Sequence, residues 1–331
     1  MRKLNITFGT RAFRRALLLA VLLAPSIALA QWHAAVGAQS DSKARQAMAF
    51  LPNEIWIHAG DSITWSMETD EPHTVTFLKD GQVRPFFADG CPGFSSDPAT
   101  FDGSQCVTSA PLVKGQNFTI KFPATGNYKL TCLFHENQDG TIHVYDSSQP
   151  LPHDQAFYDQ RAADERRDLL VQTRIDYNSG SDNEPNRKQY AGVGAGAGSI
   201  TATGGGSESL SLVRFVKDPV EIRPGQTVEW VNNDPVLPHT ITFGTEPVDI
   251  LDPSPDVTVD ADGARHAVIE AAADSTHSGF IVAAPQERLG VAQAPLGTTR
   301  FRVTFPKAGI FPYICALHDG LGMTGTVIVK P

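Results

Sequence analysis

Apolar and polar residues alternate in short runs along most of this chain. Residues 50–65 read FLPNEIWIHAGDSITW and residues 215–230 read FVKDPVEIRPGQTVEW. Each run alternates, meets a glycine (Gly60, Gly225), and alternates again up to a tryptophan (Trp65, Trp230). A period of two places one face of a strand against a core, and glycine between two such runs marks a tight turn. Further on, residues 118–135 read FTIKFPATGNYKLTCLFH and residues 301–318 read FRVTFPKAGIFPYICALH. Phe, Phe-Pro, Gly, an aromatic residue, Cys and His recur there at identical spacing. Each copy then enters a last apolar strand, residues 140–144 and 325–329. The chain is therefore an internal repeat of two all-β units, each a run of short strands with turn punctuation, which is the signature of a β-sandwich.

The segment between the copies reads differently. Residues 154–173 (DQAFYDQRAADERRDLLVQT) have helical composition, with Asp154 as N-cap and a loose apolar face of Phe157, Ala162, Leu169 and Leu170. Residues 176–208 are rich in Gly, Ser and Asn and read as a flexible linker or exposed loop. Their glycine run lacks the Lys-Ser/Thr ending of a phosphate loop. The second copy carries an extra stretch over about 245–297, in which Asp260-Ala-Asp262-Gly reads as an Asx-type turn; the Glu of a calcium loop falls at the wrong offset.

The first thirty residues stand outside this pattern. Arg2, Lys3, Arg11, Arg14 and Arg15 precede an apolar run over 16–24, followed by Ala28-Leu-Ala30. That order is the pattern of a secretory signal peptide, and the pair Arg14-Arg15 points weakly to the twin-arginine route. The run is too short to span a bilayer, and no later segment is long and apolar enough to do so. The expected organisation is a signal peptide over 1–30, one domain over 31–148, a helical and Gly-rich linker over 149–208, and a second domain over 209–331. The mature protein is expected in the periplasm or secreted.

Charge and cysteine content narrow the function. The chain has 331 residues and a formal net charge of -9; removal of the five basic leader residues takes it to -14. An acidic chain of this kind makes a poor partner for nucleic acid, whose phosphates need a basic face. Cys91 and Cys106 flank a Gly-, Pro- and Ser-rich loop and read as a disulfide, which an oxidising compartment permits.

Cys132 and Cys315 belong to the repeat. In the second copy, Cys315-Ala-Leu-His318 is followed by Met323, and His239 lies upstream before the strand Thr-Ile-Thr-Phe. One thiolate, two imidazoles and one thioether make the ligand set of a blue-copper site, a His₂Cys plane with a weak axial Met. Zinc fits this set poorly, because structural zinc takes four Cys or His ligands. The bland alternative is a buried free Cys among scattered His.

The stretch PYICALHDGLGMTGTVIV resembles the copper loop of the cupredoxin family, the blue copper proteins of the plastocyanin, pseudoazurin and azurin kind. The resemblance covers about 209–331, without the extra stretch, and again about 45–146. It implies two tandem Greek-key β-sandwiches and one-electron transfer between redox partner proteins. It carries the four ligand positions onto His239, Cys315, His318 and Met323. In the first copy, Glu71-Pro-His73-Thr-Val-Thr-Phe parallels Leu237-Pro-His239-Thr-Ile-Thr-Phe, and Cys132-Leu-Phe-His135 parallels the second Cys-x-x-His. The following loop is two residues shorter, and Gln138 takes the Met position. The first site is thus His73, Cys132, His135 and Gln138. A Gln axial ligand is a known alternative to Met, and its harder oxygen favours Cu(II) and a lower potential. The alternative for this half is a domain that has lost copper and only supports the fold, so the expectation is one or two type 1 coppers per chain. His58 and His143 are expected at solvent-facing strand positions, and His33, His153, His266 and His277 in loops, connectors or near the leader. Leu133, Phe134, Leu317 and Leu321 either surround solvent-side imidazoles as a docking patch or pack the core.

Competing functions weigh less. A copper oxidase needs paired His-x-His motifs for its trinuclear cluster, and the chain contains none. A nitrite-reductase-like site needs a further three-His cluster, and no pattern supplies one. Copper delivery or storage uses Met- or His-rich tracts, against four Met here. No nucleophile elbow or zincin motif appears, so an electron carrier is favoured over an enzyme.

Overall fold

The computed structural model describes residues 30–178 and 197–331, apart from 86–90, 136, 204–205, 208, 217, 235 and 284–297. The expected signal peptide through Leu29, the middle of the expected linker and the end of the extra stretch lie outside the described residues.

The repeat in sequence is a repeat in architecture. In the first copy, the strands Arg45–Leu51, Gln31–Gln39, Ser62–Met67, Asn117–Lys121 and Ala99–Thr100 make one sheet, in that order. The strands Glu54–His58, Asp139–Tyr145, Gly126–Thr131, Thr76–Phe77 and Val107–Thr108 make the other. The second copy repeats this second sheet strand for strand, as Val220–Ile222, Thr324–Val329, Gly309–Ile314, Thr242–Phe243 and Thr276–His277. Its first sheet runs Phe215–Val216, Ala197–Thr203, Gln226–Asn232, Arg300–Phe305, Arg265–Val268 and Thr258–Val259. Consecutive hairpin strands alternate in these sheets with neighbours distant in sequence, such as Ser62–Met67 beside Asn117–Lys121 and Gln226–Asn232 beside Arg300–Phe305, so each unit is a two-layer sandwich with crossing connections.

The alternation explains the layers. In Glu54–His58, Ile55 and Ile57 face the core while Glu54, Trp56 and His58 stay half-buried. The two tryptophans that end the repeated hairpins, Trp65 and Trp230, are fully buried and face Phe77 and Phe243. The hairpin glycines sit at φ 98° and 83°, the left-handed region that side chains disfavour.

The connecting helix α1 spans Gln155–Asn178, five residues beyond the expected end. Asp154 caps it: its carboxylate accepts the Phe157 N–H at 3.0 Å. The buried Tyr158 accepts the Trp56 backbone N–H through its hydroxyl at 2.9 Å, and Ala162, Leu169 and Leu170 pack on Ala38, Ala47, Leu51 and Leu210. The helix is thereby docked on the first sandwich.

Composition misled at the end of the linker. Residues 197–203 form a strand parallel to Gln226–Asn232, with Ile200 opposite Glu229 and Thr201 opposite Trp230. Pairing along an open sheet edge outweighs the low strand preference of a Gly-rich segment. The strand Leu210–Leu212 then crosses to the first sandwich, where it pairs antiparallel with Arg45–Leu51. Met48 donates its backbone N–H to the Ser209 carbonyl at 2.8 Å, and its side chain enters the core of the second sandwich. The two domains therefore share a sheet and part of a core.

Cys91 and Cys106 are disulfide-bonded across 15 residues. Asp260 and Asp262 form the expected turn, closed by the Gly263 N–H on the Asp260 carbonyl at 2.9 Å and the Ala264 N–H on the Asp262 carboxylate at 3.3 Å. Both carboxylates also receive Arg302.

Candidate metal centre

Each sandwich gathers one cysteine and two histidines at one end. His73 lies just before the strand Thr76–Phe77, while Cys132 and His135 follow the strand Gly126–Thr131. In the second copy, His239 precedes Thr242–Phe243, and Cys315 and His318 follow Gly309–Ile314. The paired strands bring sequence-distant ends together, because Thr76 lies opposite Thr131 and Thr242 opposite Ile314.

The donor atoms converge. In the first triad the two Nδ1 atoms, on His73 and His135, lie 3.0 Å apart, with Cys132 Sγ 3.5 Å from His135 Nδ1. In the second, His239 Nδ1 and His318 Nδ1 lie 3.1 Å apart, and Cys315 Sγ is 3.8 and 3.4 Å from them. Within each triad the potential ligand atoms all lie within 4.8 Å of one another, and all six residues are buried. Gln138 joins the first triad, its carbonyl oxygen 2.7 Å from His73 Nδ1 and 3.1 Å from His135 Nδ1. Its amide nitrogen donates to the Ala49 carbonyl at 3.2 Å, which fixes the oxygen toward the imidazoles. Met323 is fully buried in the second core; its backbone carbonyl accepts from Cys315 N–H at 3.0 Å, closing the loop.

Both sulfurs receive a matched set of donors. Thr74 N–H points at Cys132 Sγ at 3.4 Å, and Thr240 N–H at Cys315 Sγ at 3.3 Å. The Thr74 and Thr240 hydroxyls each lie 3.9 Å from the sulfur and each accept the N–H of the residue after the cysteine at 2.8 Å. Burial alone would push both thiols up, but the neighbouring imidazoles outweigh it and hold both well below the ordinary value. Buried thiolates facing two imidazole nitrogens are a donor set for a soft cation, with the hydrogen bonds around sulfur that tune a copper couple.

The outer ring nitrogens differ. His239 Nε2 meets the buried Asp234 carboxylate at 3.3 Å, whereas His73 Nε2 is buried without a hydrogen bond among the described residues. Gly37 packs against that orphan: a Cβ there would lie 2.7 Å from His73 Nε2. His135 and His318 were expected on exposed loops, yet both are buried, and their Nε2 atoms face the two oxygens of one carboxylate, Glu71, at 3.5 and 3.4 Å. Burial would push the Glu71 carboxyl up, but the two imidazoles hold it well below the ordinary carboxylate range. Against the same burial, thiolate and carboxylate raise His135 and His318 to about 10. Leu133 and Leu321 are buried and Phe134 and Leu317 half-buried; Leu321 and Leu317 pack in the second core and Phe134 against the first.

The donor chemistry and the tandem match decide the family together. A model of the copper binding proteins of the plastocyanin/azurin family matches residues 36–145 and again 202–330. The chain belongs to that family. The cupredoxin relatives include a plastocyanin of Nostoc punctiforme, 31% identical over 36% of this chain and 66% of its own length. A chloroplastic plastocyanin of Tetradesmus obliquus is 31% identical over 27% of this chain and 52% of its own length. The matches therefore span half to two thirds of these relatives. A plastocyanin of Scenedesmus fuscus is 31% identical over 38% of this chain and 94% of its own length. Among solved structures, a reduced amicyanin variant aligns over 35% of this chain and 82% of its own, at 17% identity and a TM-score of 0.24.

The remaining histidines of this cupredoxin join neither triad. His277, expected in a loop, is a buried strand residue between the Thr242 hydroxyl at 2.7 Å and the Ile250 carbonyl at 3.1 Å. His266 bridges Asp260 and Thr304, and His143 bridges Asn127 and Glu54 while stacking on Trp56. His58 meets the Gln149 carbonyl, His153 stacks on Phe157, and His33 is exposed. The residues that sequence reasoning left out are Glu71, Asp234, Thr74 and Thr240. The threonines carried a signal, since Pro-His-Thr occurs in both copies, and so did Glu71, which stands where the other copy has Leu237.

Proposed function

We propose that this protein, exported from the cytoplasm, holds one type 1 copper in each domain and carries single electrons between redox partner proteins. The observation that carries the reading is the twofold recurrence of a buried His–Cys–His triad with its sulfur facing a backbone N–H. Copper bound there supplies a one-electron couple between Cu(I) and Cu(II). The chain's own residues do the rest. His73, Cys132, His135 and Gln138 hold one ion; His239, Cys315, His318 and Met323 hold the other. The strands fix these side chains before the ion arrives, so little need move when its charge changes. Burial excludes water from the sulfurs. Export is supported by the leader-like order of residues 1–30 and by the Cys91–Cys106 disulfide; no described helix is long and apolar enough to cross a membrane.

The test is copper counted per chain together with the absorption spectrum. Loaded protein is expected to bind two coppers and to show a thiolate-to-copper charge-transfer band that colours it deep blue. His73→Ala and His239→Ala are each expected to lower the count to one. A protein that stays colourless when given copper refutes the reading.

A further inference from the structure

The two copies differ at one position beside a ligand. Leu237 precedes Pro238-His239 and lies in the second core, 4% exposed; Glu71 precedes Pro72-His73 and is 5% exposed. An ionised carboxylate in a slot where the other copy keeps an apolar residue is destabilising unless opposite charge or donors meet it. Here they meet it from both domains. Oε1 lies 3.5 Å from His135 Nε2 and Oε2 lies 3.4 Å from His318 Nε2. These contacts are longer than the ~2.7–2.9 Å of a tight charge-assisted bond, and Oε2 has no hydrogen bond among the described residues.

The contacts use the ring nitrogens that point away from the triads, since Nδ1 of each ring faces its cysteine. A ligand histidine commonly gives its second N–H to a carboxylate, which fixes the ring and raises its basicity. One carboxylate serving two ligand rings, from two domains, ties the sites to each other. The frame keeps it there: Arg214 donates to the Leu321 carbonyl of the second loop and to the Ser42 carbonyl of the first domain.

We propose that Glu71 is a shared positioning residue that couples the two metal centres, with His135–Glu71–His318 as the direct bridge between them. The inference rests on the reading that both triads hold copper. Its consequence is that a residue of the first domain sets the properties of the second site. A charge gained at one triad is felt at the other through a single carboxylate.

The test uses the full-length chain in two single-site backgrounds, C132S and C315S. Each receives E71Q, which keeps the volume but leaves one oxygen to accept from two imidazoles, and E71L, the residue of the other copy. Cu(II) affinity is read by chelator competition and the reduction potential by spectroelectrochemistry. E71L in the C132S background is expected to weaken Cu(II) at the second-domain site by about 10–100-fold and to raise its potential; E71Q weakens at least one of the two sites. A purely structural role would lower stability and leave the potential unmoved. A second-domain site whose affinity and potential stay unchanged overturns the proposal. A readout without any change at Glu71 covers variants that fail to fold. In the C315S protein, diamagnetic Cu(I) is added to the first site and the His318 Nε2–H signal is followed by NMR. A shift on loading is expected, and no shift overturns the coupling. Absence of copper binding by the unaltered protein instead defeats the two-copper reading itself, so the two failures are distinguishable.

Discussion

Gln138→Met asks what an oxygen donor does in the first site. The Gln138 carbonyl oxygen sits 2.7 and 3.1 Å from the two imidazole Nδ1 atoms, and its amide donates to the Ala49 carbonyl at 3.2 Å. Replacing it with a thioether removes a hard donor that favours Cu(II). A contact from a neutral dipole to a charged group is worth ~1.5–3 kcal/mol. At 59 mV per tenfold for one electron, that is on the order of 60–130 mV of upward shift. The same change leaves the Ala49 carbonyl unpaired, at a cost of about 1–3 kcal/mol in stability. The assay is a spectroelectrochemical titration in the C315S background, where only the first site contributes colour, with urea denaturation alongside. In the unaltered chain the Gln-bearing site is expected to have the lower potential of the two. An unchanged or lower potential in Q138M refutes the assignment of Gln138 as a ligand.

Two further predictions test the frame around the sites. Arg302, 6% exposed, pairs with Glu229 at 2.6 Å and with Asp260 and Asp262 at 2.8 and 2.7 Å; Arg302→Leu leaves the buried Glu229 only the longer 3.8 Å contact to Arg300 among the described residues and is expected to cost about 3–5 kcal/mol by denaturant unfolding. Arg302 holds Asp262 below its ordinary value, so that carboxyl stabilises the fold above about pH 4 and loses its contribution as pH falls; the variant should show a shallower loss of stability on acidification, and an identical profile counts against the pairing. Gly37→Ala puts a side chain at φ 65°, against Thr69 and 2.7 Å from His73 Nε2; it is expected to reduce copper at the first site while the second keeps its ion, measured by copper count in the single-site backgrounds.

The sandwiches and the triads were legible because they depend on local rules. Period-two alternation, hairpin glycines and the twice-written Cys-x-x-His survive in any window of the sequence. Repetition strengthened them, since two copies with the same spacing exclude coincidence at Cys132 and Cys315. What could not be read depends on neighbours far away in the chain. Residues 197–203 look like linker until an edge of the second sheet is available to pair with them. His135 and His318 look solvent-facing in the sequence, yet both are buried, with His318 facing a carboxylate of the other domain. Glu71 looks like a surface charge in a loop, and its meaning comes only from two rings, one of them 247 residues away by the numbering of His318.

The crossing strand Leu210–Leu212 bears on how the chain can be divided. A fragment ending before it would leave Arg45–Leu51 with a bare edge, the Met48 amide unmatched and the Met48 side chain in water. Such an edge is a template for other copies, so that fragment is expected to self-associate. Subcloning the halves along the sequence repeat therefore cuts through a hydrogen-bonded seam, and the sound unit for expression is the pair.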